Sequence, residues 1–295
     1  MTYKYAILLA ALAGAASFSA SGQSTAPEIP TVPLTQQAEP KDAAPLYAIE
    51  RTFVTTIAAP DGHPYRILVS WPQGSPPETG WPVLYLLDGA DNFAVATVTT
   101  RRLERAGARS GGGGGGIIVG IDSGSLTRRV LDYTPPSPGY LIPEGAPASG
   151  LPTGGSEQFL SFIETHVKPF VKSRWDIDPH KETLAGHSFG GLLALHALFT
   201  QPDIAQRYAA ISPSLWFGDG LMNREEDVAQ IKGATAVLVA EADGEGQADT
   251  ARALADRMAA KSNDVHYLSL SHQTHGTTML ASIAHIITLA FGADK

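Results

Sequence analysis

The sequence has no cysteine among its 295 residues. That excludes disulfide staples, thiolate metal ligands and a lipid-bearing cysteine at a processed N-terminus. Charge is sparse too: Asp, Glu, Lys and Arg make up 17% of the chain against 43% apolar residues, which excludes a disordered or coiled-coil composition and leaves ample material for a core. A basic excess is also lacking. The formal net charge of −8 disfavours nucleic acid and anionic lipid as partners. No internal repeat is visible.

The N-terminus stands apart. It carries a single cation, Lys4, then an apolar run from Tyr5 to Ala16, then small residues. The run is too short to span a bilayer stably, and residues 1–22 read as a secretory signal peptide. Small residues at −3 and −1 allow cleavage after Gly22 or after Ser19. Its removal takes one lysine and no acid, so −8 becomes −9. No stable membrane insertion is expected afterwards. Export without disulfides points to a periplasmic or secreted protein. Residues 23–48, rich in Pro, Ala, Thr and Gln and without hydrophobic period, read as a flexible linker. Residues 49–295 then form the catalytic domain.

Within that domain, β-branched alternation in "ERTFVTTIA" and "YRILVSWP" predicts an antiparallel opening pair. "WPVLYLLDG" and "GIIVGID" are nearly continuous apolar runs, as in strands buried on both faces. Six glycines, Gly111 to Gly116, precede the second of these. No Lys-Ser/Thr pair and no helix follow them, so they read as a flexible connection rather than a phosphate loop. "SEQFLSFIETHVKPFVKSRW" has helical spacing, and beyond it strands and helices alternate to the end: "TLAGHS", "FGGLLALHALF", "YAAISPS", "TAVLVA", "DTARALADRMAAK", "VHYLSL" and a last helix. Such alternation specifies an α/β fold with a mostly parallel central sheet and helices on both faces. Reactive groups then sit at the carboxyl ends of strands.

"TLAGHSFGGLLALHA" places Ser188 between two glycines, after a strand and before a helix. A lone G-x-S-x-G is weak, but this context matches a nucleophile elbow, where bulk beside the serine would collide as strand and helix approach. A third glycine, Gly191, suits close helix packing. A serine hydroxyl needs a base, and in this architecture the order is serine, acid, histidine. Among later histidines, His196 and His285 fall inside helices and His266 inside a strand, leaving His272 and His275 in "LSLSHQTHGTTML". His275, followed by glycine and abutting a helix start, is the favoured base. The acid is expected after "TAVLVA", where "LVAEADGEG" offers Glu241, Asp243 and Glu245. Asp243, three residues past the expected strand end, is favoured and Glu241 is the alternative; a Ser–His dyad without either stays open. Oxyanion donors are expected from the N–H groups of Phe189 and of Ala90, in the tight turn after "VLYLLDG".

"LYLLDGADNF", "RRVLDYTP", "GGSEQFLSFIETHVKPFV", "LAGHSFGGLLALHALF", "YAAISPSLWF" and "HGTTML" together resemble an esterase family of bacterial α/β-hydrolases. The branch most similar contains periplasmic siderophore trilactone esterases acting on enterobactin and salmochelin. The resemblance covers residues 49–291 or so and implies an α/β-hydrolase fold and hydrolysis of ester bonds in catecholate siderophores or their ferric complexes. It matches Ser188 to the nucleophile, His275 to the base, Gly89-Ala90 to the oxyanion turn, and Arg129 and Trp216 to positions lining the substrate side. Arg128 and Arg129 can offer forked donors to catecholate oxygens, and Trp216 and Tyr133 can stack on rings. Equally, one arginine can pair with Asp132 and the tryptophan can be half core. The histidines have no metal-site spacing, so no cofactor and no metal are expected, and any iron belongs to the substrate. Two rivals remain: a general carboxylesterase for short acyl, acetyl or feruloyl esters, and a non-catalytic ligand-binding protein on an esterase fold.

Overall fold

A computed structural model describes residues 47–110, 115–146, 148–228, 231, 236–243, 245, 248–262 and 264–292. The expected signal peptide, the linker up to residue 46 and Gly111–Gly114 of the glycine run lie outside them. From Ala48 onward the chain forms one unit. Among the described residues no helix is long and apolar enough to cross a membrane.

The chain opens with β1 (Thr52–Ala58) and β2 (Pro64–Ser70), then β3 (Trp81–Leu87), α1 (Gly89–Ser110), β4 (Ile117–Asp122) and α2 (Leu126–Tyr133). Next come α3 (Ser156–Phe162), a π-helical turn (Ile163–Val167), α4 (Lys168–Lys172), β5 (Ile177–His187) and α5 (Phe189–Thr200). The last third holds β6 (Arg207–Ile211), α6 (Leu221–Val228), β7 (Ala236–Ala242), α7 (Ala248–Ala259), β8 (Val265–Leu270) and α8 (His275–Phe291). The eight strands form one sheet in the order β1-β2-β4-β3-β5-β6-β7-β8. β1, β2 and β4 pair antiparallel in sequence of position, with Ile57 opposite Tyr65 and Leu68 opposite Gly120. Every later pairing is parallel. This is the mostly parallel sheet that the alternation of elements implies, in the α/β-hydrolase arrangement that the family resemblance implies.

Successive side chains of a strand point to opposite faces, so each central strand must be apolar twice over. Leu84, Leu86, Ile118, Ala185, Ala209 and Leu238 pack under α1 and α8 through Phe93, Met279, Ile283 and Ile286. Tyr85, Leu87, Val119, Leu184, Val237 and Val239 face the other layer, against residues of α2 to α7 such as Val130, Phe159, Leu192 and Leu254. α5 is buried from Phe189 to Phe199, which explains why it lacks a polar stripe. His196, which the sequence places inside a helix, is buried within it.

Several elements differ from the sequence reading. The helix expected over residues 156–175 is interrupted by the π turn, where the Lys168 N–H donates to the Ile163 carbonyl five residues back. Pro169 follows and has no N–H to give, so the wide turn accommodates a residue that a regular helix interior rejects. β5 starts at Ile177 rather than at Thr183, and α2 and α6 fill stretches to which the sequence reading assigns no element.

The elbow depends on close backbone contact. A Cβ on Gly186 would stand 2.5 Å from the Gly190 backbone, and one on Gly191 would stand 2.9 Å from the Ile211 carbonyl oxygen. Gly190 is less constrained, since a Cβ there meets nothing nearer than 3.4 Å. Gly186→Ala should therefore lower stability by about 2 kcal/mol or more, read as a lower thermal midpoint, while Gly190→Ala costs less. Equal midpoints for Gly186→Ala and the parent would contradict this packing.

Candidate active site

Ser188 follows β5 directly and has φ 60° and ψ −119°, a backbone conformation rarely taken by a residue with a side chain. Three hydrogen bonds hold it there. Its N–H donates to the Ile211 carbonyl at 2.9 Å, and its own carbonyl accepts from Leu192 at 2.9 Å and Ser214 at 3.1 Å. The hydroxyl is thereby lifted off the sheet edge, 3.0 Å from Nε2 of His275 and 3.4 Å from the Ser214 hydroxyl. The structure thus brings Ser188 and His275 together from positions 87 residues apart. His275 is the first residue of α8, and its helix start is fixed by the Thr274 N–H donating to Thr277 Oγ1 at 2.9 Å.

The carboxylate on the far side of the imidazole is that of Glu245, with Oε2 3.3 Å from His275 Nδ1. A carboxylate accepts, so Nδ1 carries the proton and Nε2 is left to accept from Ser188. Glu245 Oε1 accepts from the Ser212 hydroxyl at 2.8 Å and from Thr278 Oγ1 at 3.3 Å. Burial works to raise the Glu245 carboxyl, but the hydrogen bonds from His275, Ser212 and Thr278 outweigh it and hold it below the ordinary glutamate range.

This corrects the expected acid. Asp243 is exposed, with its N–H on the Leu270 carbonyl at 3.2 Å, and does not meet the imidazole. The cause is the length of β7, which ends at Ala242 rather than Ala240. An offset of three residues from the true strand end is Glu245. Glu241, the alternative, is still within β7, 1% exposed, with neither carboxylate oxygen hydrogen-bonded. Burial, followed by the negative charge of Glu245, pushes its carboxyl up to about 7. Ser212 and Thr278, which orient Glu245, escaped the sequence reading because hydroxyls that act through spatial neighbours carry no motif.

Gly89 and Ala90 open α1 at the end of β3, next to β5 in the sheet, so the starts of α1 and α5 lie side by side. N–H groups in a first helical turn have no carbonyl partner within their own helix, which leaves those of Ala90 and Phe189 available to an anion there. Gly89 is required for packing, since a Cβ would stand 2.7 Å from the Gly120 backbone. Asp88, at φ 54°, holds this turn: its carbonyl accepts from Asp91 and Asn92, and its N–H donates to the Tyr133 hydroxyl at 3.2 Å.

Both arginines have protein partners. Arg129 forks onto Asp88, Nε to Oδ1 at 2.6 Å and Nη2 to Oδ2 at 2.8 Å. Arg128 spans Asp61 at 2.5 Å, Asp132 at 2.9 Å and the Tyr65 hydroxyl at 2.8 Å. Pairing with Asp132 is the plainer of the two readings that the sequence left open. The expectation that Tyr133 stacks on a substrate ring fails, because α2 packs it into the core at 0% exposure. Trp216 is half-buried and edge-on to Phe189, with ring centroids 5.7 Å apart. A recess of about 300 Å³ opens between the starts of α1 and α8, lined by Asp88, Asp91, Asn92, Arg129, His187, Gly276, Met279 and Leu280.

Residues 59–275 match the family described as "Putative esterase". The chain is 40% identical over 177 residues to the siderophore enterobactin esterase of Emericella nidulans, covering 55% of this chain and 57% of the relative. It is 34% identical over 167 residues to the ferri-bacillibactin esterase BesA of Bacillus subtilis, covering 55% and 58%. The aligned part thus spans little more than half the length of these relatives. The crystal structure of the BES protein from Bacillus cereus superposes with a TM-score of 0.72 at 26% identity, over 85% of this chain and 99% of that one.

The two glutamates of β7 and its loop generate a prediction. A carboxyl raised from 4.5 to about 7 by folding binds its proton more tightly in the native state, so it lowers stability as pH rises through that window. Glu241→Gln removes this dependence. Relative to the parent, the variant should gain about 2 to 3 kcal/mol between pH 5 and pH 8 in denaturant unfolding. A difference that does not change with pH would contradict the buried, unpartnered state of Glu241.

Proposed function

The chain belongs to this esterase family, and we propose that it is a serine hydrolase that cleaves the ester bonds of siderophores. The observation that carries the reading is the hydrogen-bonded series Ser188–His275–Glu245, at 3.0 and 3.3 Å. In the proposed reaction Ser188 Oγ attacks the ester carbonyl carbon as its proton passes to His275 Nε2. Negative charge on the carbonyl oxygen is met by the N–H groups of Phe189 and Ala90, worth a few kcal/mol in arrangements of this kind. Glu245 accepts from Nδ1 and stabilises the imidazolium. Collapse of the intermediate expels the alkoxide, which takes the proton from Nε2. Water then gives a proton to His275 and adds to the acyl carbon, and Ser188 departs with the proton restored.

The substrate class rests on the relatives, whose names place them on enterobactin and bacillibactin. For this chain we favour the trilactone bonds of catecholate siderophores such as ferric enterobactin or salmochelin, with iron entering only as part of the substrate. The recess beside the site and the half-exposed Trp216 offer room and an aromatic edge for part of such a ligand. The signal peptide expected over residues 1–22 makes the periplasm or the exterior the proposed location.

Ser188→Ala should lower kcat on an aryl ester by at least about 10³-fold, and Glu245→Ala by about 10²-fold or more, while Asp243→Ala stays within about two-fold of the parent. Retained turnover in Ser188→Ala would overturn the mechanism. Mass spectrometry of products from ferric enterobactin should show opened trilactone; an intact trilactone alongside rapid cleavage of a nitrophenyl ester would favour a general carboxylesterase.

A further inference from the structure

His187, the residue before the nucleophile, has a role that nothing in the elbow motif requires. It ends β5, and by strand alternation from Ala185 its side chain rises on the face covered by α1 and α8. Its Nε2 lies 2.7 Å from the backbone carbonyl oxygen of His275. A carbonyl oxygen only accepts, so Nε2 bears the proton. The two imidazoles lie 4.6 Å apart at 45°.

The loop that delivers His275 needs such a tie. Ser271, His272, Thr274, His275, Gly276 and Thr277 are all exposed, and His272 has φ 60°. The capping contact between Thr274 and Thr277 stays within that segment, as does the 2.7 Å bond from Thr278 Oγ1 to the Thr274 carbonyl, and the longer contact of Thr278, at 3.3 Å, goes to Glu245 rather than to β5. The His187 bond runs directly from the backbone of His275 to the strand that carries Ser188. On its other side the His187 carbonyl accepts from Arg129 Nη2 at 3.2 Å, and Arg129 is forked onto Asp88. One residue therefore joins the strand of the nucleophile, the backbone of the base and the oxyanion turn.

We propose that His187 is a positioning residue: its Nε2–H fixes the start of α8 so that the His275 imidazole stands in reach of Ser188. The proposal rests on the hydrolase reading above. Burial first, then the positive charge that His275 can carry, lower the His187 imidazole to about 4, with His275, Arg129 and Asp88 as the titratable groups around it. It therefore stays neutral when His275 becomes an imidazolium, and adds no repulsion to that step.

The test compares His187→Leu, which keeps volume but has no donor, with His187→Gln, whose amide nitrogen can replace Nε2. In the full chain, His187→Leu should lower kcat on a nitrophenyl ester about 10- to 100-fold with KM within about two-fold, and slow labelling of Ser188 by a fluorophosphonate equally. His187→Gln should recover both to within about three-fold of the parent, with the parent's pH profile. His187→Leu at parental kcat, or His187→Gln as impaired as His187→Leu, overturns the role. Labelling also separates the two levels of inference: a parent chain that hydrolyses the ester but never labels at Ser188 overturns the assignment of Ser188 as nucleophile, on which the role of His187 rests. A measurement on the parent needs no variant to fold. Nitrogen-15 NMR should find His187 as the Nε2–H tautomer, neutral down to pH 5; the Nδ1–H tautomer would overturn the proposal.

Discussion

The chain turns off one edge of the sheet through residues that resist the conformation required of them. β3, β5 and β6 lie side by side, and the residue directly after each strand is Asp88, Ser188 and Ser212, with φ of 54°, 60° and 40°. None is glycine, so each position is strained by about 1 to 3 kcal/mol. Each is also held by hydrogen bonds from outside its own turn: Asp88 by Tyr133 and Arg129, Ser188 by Ile211 and Ser214, Ser212 by Ala240. The outcome is three polar side chains directed out of a sheet whose interior is apolar on both faces. One is the candidate nucleophile, one orients the candidate acid, and one holds the proposed oxyanion turn. The core and the site are thus a single construction, because the parallel register of β3, β5 and β6, with Leu86 opposite Ala185 and His187 opposite Ile211, brings the three turns to one line.

The environment separates two chemically identical side chains within this edge. Glu241 and Glu245 stand four residues apart, one at the end of β7 and one in its loop. Glu245 has a hydrogen bond for each oxygen and stays ionised; Glu241 has none and is raised to about 7. A carboxylate that can stabilise an imidazolium and a carboxyl that keeps its proton well above the ordinary glutamate range are what divergent surroundings make of one residue type. The acid of this site is therefore defined by Ser212, Thr278 and His275, not by the identity of position 245.

How much of this the sequence disclosed follows from the range of each interaction. The elbow was legible because its strand, turn, glycines and helix are contiguous, and so were the buried strands, whose apolar runs record both faces at once. The reach from Ser188 to His275 followed from elimination among histidines by element. The acid was misplaced by two residues because the end of β7 is set by its pairing with β8, which continues to Ala242 opposite Leu270 and has no local signal. The arginines and Tyr133 depended on contacts with Asp61, Tyr65 and Asp88, all more than 40 residues away. A dipeptide of two arginines reads as a ligand-binding pair until the carboxylates that receive it are located.

In the proposed mechanism the hydroxyl lifted by the strained residue 188 forms a covalent bond to the substrate acyl group. Rapid-quench mass spectrometry of the enzyme mixed with a slowly deacylating aryl ester addresses it directly. The predicted result is an acyl adduct confined to the peptide that contains Ser188, appearing before product in steady state. Turnover with no adduct, or an adduct on any other residue, would contradict it.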